Sequence, residues 1–284
     1  MIRNTAWRYT PYRDMHLGHV FCAWWPFYYA KRIGATFTVI PSFAGFRIHE
    51  LDNQSFAFET CVKRFSEDLN WLGFEHDLLD TAAMWPEYVA AGDALGYKVP
   101  WHDYETTALD LGTQRHPFEN FDGVLYDPWL VAASCVDYAR AGAEAMWRGL
   151  DRLASAQLYA DVALRLGLRP PVQQFVPTIW REGATCKQSK SELGGTSVRS
   201  LREAGYTPRQ VTDTLRELYR RWLLVPQWER TPHVVIPQGM LTPGAVVALD
   251  YEGEWARCAQ AHAENEWAGD VARYAARVKA ERTQ

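Results

Sequence analysis

At 284 residues the chain is long enough for one or two domains around a sizeable core. Its 48% apolar and 23% charged residues suit a globular protein and exclude a disordered or fibrous one. The formal net charge of −4 excludes a global basic field for nucleic acid, although Arg199, Arg202, Arg209, Arg216, Arg220 and Arg221 fall in one region and leave room for a local basic face.

The elements read in chain order begin with a strand over residues 5–10. A helix over 18–32, apolar nearly all round and therefore buried, is ended by Gly34, and residues 35–41 alternate and branch like a second strand. Strand, helix and strand make a βαβ unit, whose ligand edge is the C-terminal end of the strands. Residues 42–53 read as a loop holding Arg47, His49, Glu50 and Asp52, and 55–72 as an amphipathic helix capped by Gly73. Residues 75–125, with turns at Pro86, Gly96, Pro100 and Gly123, read as an insertion between two halves of the fold. Strands are expected over 126–133, 143–147 and 172–179, with a helix over 153–166 closed by Gly167. A helix over 208–222, a strand near Val234 and a final helix over 252–279 complete the chain.

The five cysteines, Cys22, Cys61, Cys135, Cys186 and Cys258, are scattered, odd in number and without C-x-x-C spacing. That argues against a disulfide framework and a structural zinc site, and for reduced thiols in a cytoplasmic protein. With no signal peptide and no apolar segment of about 18 residues, membrane insertion is not expected.

Two short motifs carry chemistry. His16-Leu17-Gly18-His19 lies between the first strand and the first helix, where backbone N–H groups and the positive helix end meet a phosphate. Two imidazoles three apart there can face one anion; taken alone, such a tetrapeptide is more often an ordinary helix start. Lys187-Gln188-Ser189-Lys190-Ser191 lies in a polar loop after the 172–179 strand, a mobile cationic clamp for a polyphosphate or, taken alone, a solvated basic loop. In order and separation the pair resembles the signatures of class I aminoacyl-tRNA synthetases, usually spelled His-Ile-Gly-His and Lys-Met-Ser-Lys-Ser. The run from Ser66 through Glu67-Asp68-Leu69-Asn70-Trp71-Leu72-Gly73 to Phe74 resembles the glutamyl branch, shared with the enzyme that glutamylates queuosine in a tRNA. So do Arg148-Gly149-Leu150-Asp151 and the run from Gly195 to Pro208. The resemblance covers roughly residues 5–75 and 126–222.

The resemblance implies an α/β fold: a Rossmann-type parallel-sheet core over 1–205 with a reduced insertion, then a mainly helical part over 206–284 like a stem-contact region. It implies ATP and Mg2+ as cofactors, and no metal site built by the chain itself. The reaction joins an amino-acid carboxylate to the α-phosphate of ATP and expels pyrophosphate, which needs positioning and charge neutralisation rather than a nucleophile. His16 and His19 would bond the phosphates, Gly18 would let adenine lie against backbone, and Lys187 and Lys190 would close over pyrophosphate. Gly149, Asp151 and Ser189 complete the implied ATP site. Arg8 and Arg148 would grip an acidic side chain, Glu50 (Asp52 next) would hold the α-amino group, and Thr10, Tyr126 and Trp129 would line the amino-acid pocket.

The chain departs from that subfamily in four places. The connection from Arg8 to His16 is two residues shorter, and the acidic loop after the second strand becomes Arg47-Ile48-His49-Glu50-Leu51-Asp52. The pocket tyrosine falls near Trp129, with Tyr126 as alternative, and an indole cannot copy a phenol's hydrogen bond to a carboxylate. The insertion is half the usual length, the anticodon-binding region is missing, and so are the cysteines for the zinc site of the catalytic-core-only relative. Glutamate is the default substrate, and tRNA an expected but weak partner. The alternatives are a tRNA-independent ligase acting on a small amine, peptide or modified nucleobase, and an inactive paralogue that only binds.

Overall fold

The computed structural model describes residues 2–11, 14–49, 57–97, 128–149, 152, 156–181, 197–224 and 233–236. Five strands, β1 (Asn4–Tyr9), β2 (Thr36–Pro41), β3 (Asp77–Leu78), β4 (Ala145–Gly149) and β5 (Val172–Val176), form one sheet in the order β3-β2-β1-β4-β5. All its pairings are parallel. The chain therefore runs outward from β1 through β2 to β3, then returns to the other side of β1 for β4 and β5. That reversal opens a crevice at the C-terminal ends of β1 and β4, where α/β sheets of this kind bind ligands.

Alternation along β1 sends Trp7 and Tyr9 to one face and Ala6 and Arg8 to the other. The Trp7 face is covered by α1 (Leu17–Ile33), α3 (Phe58–Trp71) and α8 (Pro208–Leu224) in the largest core cluster. The Ala6 face meets Met146 on β4, Tyr138 on α5 (Pro128–Arg140) and Tyr159 on α6 (Ala156–Arg165). α1 is buried because almost every turn is apolar: Val20, Phe21, Ala23, Trp24 and Trp25 are at most 2% exposed. Gly34 ends it at φ 68°, a left-handed conformation that a side chain would strain. Tyr219 of α8 packs on Trp25 at 4.4 Å and on Phe21 at 5.7 Å between ring centres. A buried side chain of this size contributes about 1.5–3 kcal/mol.

Four local expectations change. Within the stretch read as a loop over 42–53, residues Phe43–His49 form helix α2. Ser42, just before it, accepts the Gly45 N–H at 2.9 Å, and a Cβ at Gly45 would come within 2.7 Å of Ser42 Oγ and 2.9 Å of Thr10 Oγ1, so glycine lets the helix lie close to both side chains. Residues 128–133 of the expected strand 126–133 are helix α5. The run 172–179 is two strands: β5 in the main sheet and, after Pro177, β6 (Thr178–Arg181), which pairs with β7 (His233–Ile236). Of the stretch read as an insertion, β3 joins the sheet and α4 (Trp85–Leu95) packs on α5 through the Arg140–Glu87 ion pair at 2.7 Å. Its remainder, residues 98–125, lies outside the described residues, as does the expected helix over 252–279. Among the described residues no helix is long and apolar enough to cross a membrane.

Candidate active site

The turn from β1 into α1 brings His16, Gly18 and His19 together. His16 sits at the N-cap of α1 with extended backbone, and its Nδ1 accepts the Gly18 N–H at 3.1 Å. The His16 N–H in turn donates to His19 Nδ1 at 3.3 Å. This is a capping box built from imidazoles in place of the usual hydroxyl and carboxylate. Because each Nδ1 accepts a backbone N–H, each ring carries its proton on Nε2. The rings stack at 3.8 Å and 27°, so the two Nε2–H groups are held as a pair. Aromatic side chains fix the outer ring: Trp7 and Phe65 meet His19 edge-on at 6.0 and 5.2 Å, and Tyr9 stacks between Trp7 and Phe65 at 4.7 and 4.3 Å. These three supporting residues are absent from the sequence reading; the period-two alternation of β1 and the apolar face of α3 were the available signals.

The chain after the lysine motif returns to this turn. The Val198 N–H donates to Met15 O at 2.7 Å, and Ser197 forms an antiparallel bridge with His16. Ser197 also caps α7 (Val198–Glu203), its Oγ accepting the Ser200 N–H at 3.0 Å. Six residues separate Ser197 from Lys190. Lys187, Ser189 and Lys190 themselves lie outside the described residues, as do Glu50, Asp52, Tyr126 and Asp151.

Charged groups of α3 and α7 meet beside the turn. Arg199 pairs with Glu67 at 3.2 Å and Arg64 with Asp14 at 3.3 Å. Asp68, 2% exposed, has an Oδ2 with no partner among the described residues. Burial pushes its carboxyl up to about 6, against the pull of Arg199. The fold thus favours protonated Asp68, and its charge opposes folding above that pH. Asp68→Asn is expected to raise Tm at about pH 7.5, by on the order of 1 kcal/mol of stability, and the difference should vanish near pH 4. Thermal melts of both proteins across that range check the sign.

On the opposite face, the pairing of Ala6 with Met146 places Arg8 beside Arg148 at the β1–β4 crevice. Arg8 Nε donates to Asp137 Oδ2 at 2.6 Å, and Tyr88 OH donates to Asp137 Oδ1. Burial, the largest single influence, would lower the Arg8 pKa, but Asp137 together with Tyr159 and Tyr138 raises it overall, so the guanidinium stays charged. Arg148 lies over the Tyr159 ring at 3.9 Å and donates from Nη1 to Gln173 Oε1 at 3.1 Å. Gly149 follows it at the end of β4. Thr10, just past β1, abuts Gly45. Trp129, expected in the pocket, is a core residue: fully buried, it packs on Trp85 at 5.5 Å and fills the space beside Gly92. Asp137 and Tyr88 are absent from the sequence reading; the one charged residue in the mainly apolar run Val131–Tyr138 was the signal that a buried partner existed.

No protein-family model matches the chain, and no curated protein matches it in sequence. Among solved structures it resembles a glutamate tRNA ligase from Elizabethkingia meningosepticum, in complex with its amino acid, at 15% identity and a TM-score of 0.52, over 77% of this chain and 61% of that one. A glutamate-tRNA synthetase from Elizabethkingia anophelis matches at 15% and 0.50, over 77% and 62%. A tyrosyl-tRNA synthetase from Aeropyrum pernix matches at 15% and 0.51, over 72% and 62%. The chain spans about three fifths of the length of each. Glutamyl and tyrosyl enzymes match equally well, so the likeness does not single out the glutamyl branch; the chain has the Rossmann-like α/β fold of the class I aminoacyl-tRNA synthetase core.

Proposed function

We propose that the protein activates an amino acid with ATP and passes the aminoacyl group to tRNA or a modified tRNA base. An oxygen of the amino-acid carboxylate bonds to the α-phosphorus, the bond from that phosphorus to the bridging α–β oxygen breaks, and pyrophosphate leaves. The observation that carries this reading is the imidazole pair at the start of α1, each ring set by a backbone N–H to present Nε2–H. Two preset neutral donors bond phosphate oxygens without rearrangement, and such donors act most where charge builds up. The bridge from His16 to Ser197 favours the same reading, because it ties the segment after the lysines to the histidine turn. Gly18, Gly149, Asp151 and Ser189 complete the proposed ATP site, with Lys187 and Lys190 on the leaving pyrophosphate. Mg2+ would enter on the ATP phosphates, keeping several of its waters. Pyrophosphate exchange into ATP, dependent on an amino acid and lowered about 10²-fold in Lys190→Ala, tests the reading.

An acceptor other than tRNA is the second reading, and the arginine face favours it. Arg199 is paired with Glu67, Arg209 and Arg216 with Asp213, and Arg220 and Arg221 with Glu217. A face so laced attracts phosphate less than its arginine count suggests. Any tRNA binding is expected to be weak and salt-sensitive, with a log–log slope of about 0.9 per phosphate contacted. Filter binding across a salt series checks this; tight binding at physiological salt contradicts it.

A further inference from the structure

We infer that the seam between α3 and α7 is a pH-sensitive latch on the histidine turn: the charge of Asp68 keeps it weak at neutral pH, and a proton on that carboxyl tightens it. α7 is short, and its hold on the turn is local. The Val198 N–H donates to Met15 O at 2.7 Å, and Ser197 bridges His16. Val198 and Leu201 enter the same core cluster as Phe65 and Leu69 of α3. Along α3, Cys61, Phe65 and Asp68 follow one another at helical spacing, and all three are buried. An acid thus occupies a position that the helix pattern reserves for an apolar side chain. Its Oδ2 is buried and takes no hydrogen bond among the described residues. A carboxylate so placed gives up water without a replacement donor, which disfavours its charged form.

The charges that act on Asp68 come from three elements. Burial is the largest influence and holds the proton on. Arg199 and Arg202 of α7 oppose it, while Asp14, in the turn before α1, and Glu67, on α3 itself, support it. Asp14 and Glu67 are themselves paired, with Arg64 and Arg199. The balance leaves the docked carboxyl protonated up to about pH 6. Lifting α7 would admit water to the seam and return the group to the ordinary carboxylate value of about 3.9. The docked state therefore binds the proton more tightly than the lifted one. Rising pH weakens docking from about 4 to about 6, and above that the full penalty applies. Lifting α7 also takes Ser197 away from His16, so the loosening reaches the turn. Its bearing on catalysis rests on the ATP role proposed above; the latch itself does not.

Hydrogen exchange read by NMR on the full chain, with neither ATP nor amino acid present, tests this. The Val198 amide reports docking, because its hydrogen bond crosses from α7 to the turn, and the Phe21 amide inside α1 reports opening of the core. In the wild type at about pH 7.5, Val198 is expected to exchange faster than Phe21 once each is corrected for its intrinsic rate. Asp68→Asn should slow Val198 about tenfold or more at that pH, and by no more than about threefold near pH 4. A wild-type Val198 as slow as Phe21 overturns the inference. So does a folded Asp68→Asn with no slowing at about pH 7.5, or with equal slowing at both pH values. If near-UV circular dichroism shows that the variant does not fold, the wild type decides. Its Val198 protection should then fall between about pH 4 and 6.5 and level off above, and flat protection overturns the inference. With no nucleotide present, these outcomes are independent of amino-acid activation, which pyrophosphate exchange judges separately.

Discussion

His19→Ala is expected to lower amino-acid-dependent pyrophosphate exchange by about 10²–10³-fold while leaving the fold in place. In the proposed reaction the ring offers one Nε2–H to a phosphate, and its loss would remove a contact that matters most as charge develops. His16 separates catalysis from capping. His16→Ala removes the same kind of donor and also the acceptor for the Gly18 N–H, so it should cost about 1 kcal/mol of stability besides activity. His16→Asn restores a good N-cap oxygen without an imidazole, so it should melt like the wild type yet remain slow. Rates and melting curves of the three variants are the check. If His19→Ala and His16→Asn both exchange at wild-type rates, the phosphate role of the pair is wrong.

The second large effect belongs to the buried pair at the crevice. Asp137→Leu leaves the Arg8 guanidinium charged and without its counter-ion, which typically costs about 3–5 kcal/mol. That is a large share of the roughly 5–15 kcal/mol that holds a domain together, so the single variant should be close to unfolding. The double variant Arg8→Met with Asp137→Leu removes both charges and fills similar space, and should recover more than half of the loss. Urea denaturation of both variants and the wild type gives the numbers. A single variant as stable as the wild type, or a double variant no better than the single, shows that the pair is not what holds this corner together.

The parts of the fold that were legible are those where local chemistry agrees with tertiary structure. β1, α1 and β2 follow from an alternating strand, an unbroken apolar helix and Gly34 at its end. The helix over 153–166 and the strand near Val234 were likewise placed within a few residues. The misread segments are those where the deciding contact is distant. Residues 128–133 are apolar in succession, and such a run cannot be told from a strand by periodicity. Only its continuation through Ser134 and Asp137 along one helix reveals α5, and with it the counter-ion of Arg8. The helix α2 was hidden because Gly45 reads as a loop signal, whereas its job is to let the helix approach Thr10 and Ser42. In the site, the histidine turn was legible because it is local. The aromatic wall of Trp7, Tyr9 and Phe65, and the return of Ser197 to His16, join residues far apart in sequence and leave no local mark.

The central claim is that this turn handles the phosphates of ATP during amino-acid activation. Exchange of labelled pyrophosphate into ATP by the RNase-treated protein, assayed with each amino acid in turn, tests it most directly. The account predicts exchange with at least one amino acid, none without an amino acid, and no requirement for added tRNA. Exchange with no amino acid at all, under conditions where the protein is folded, would contradict it.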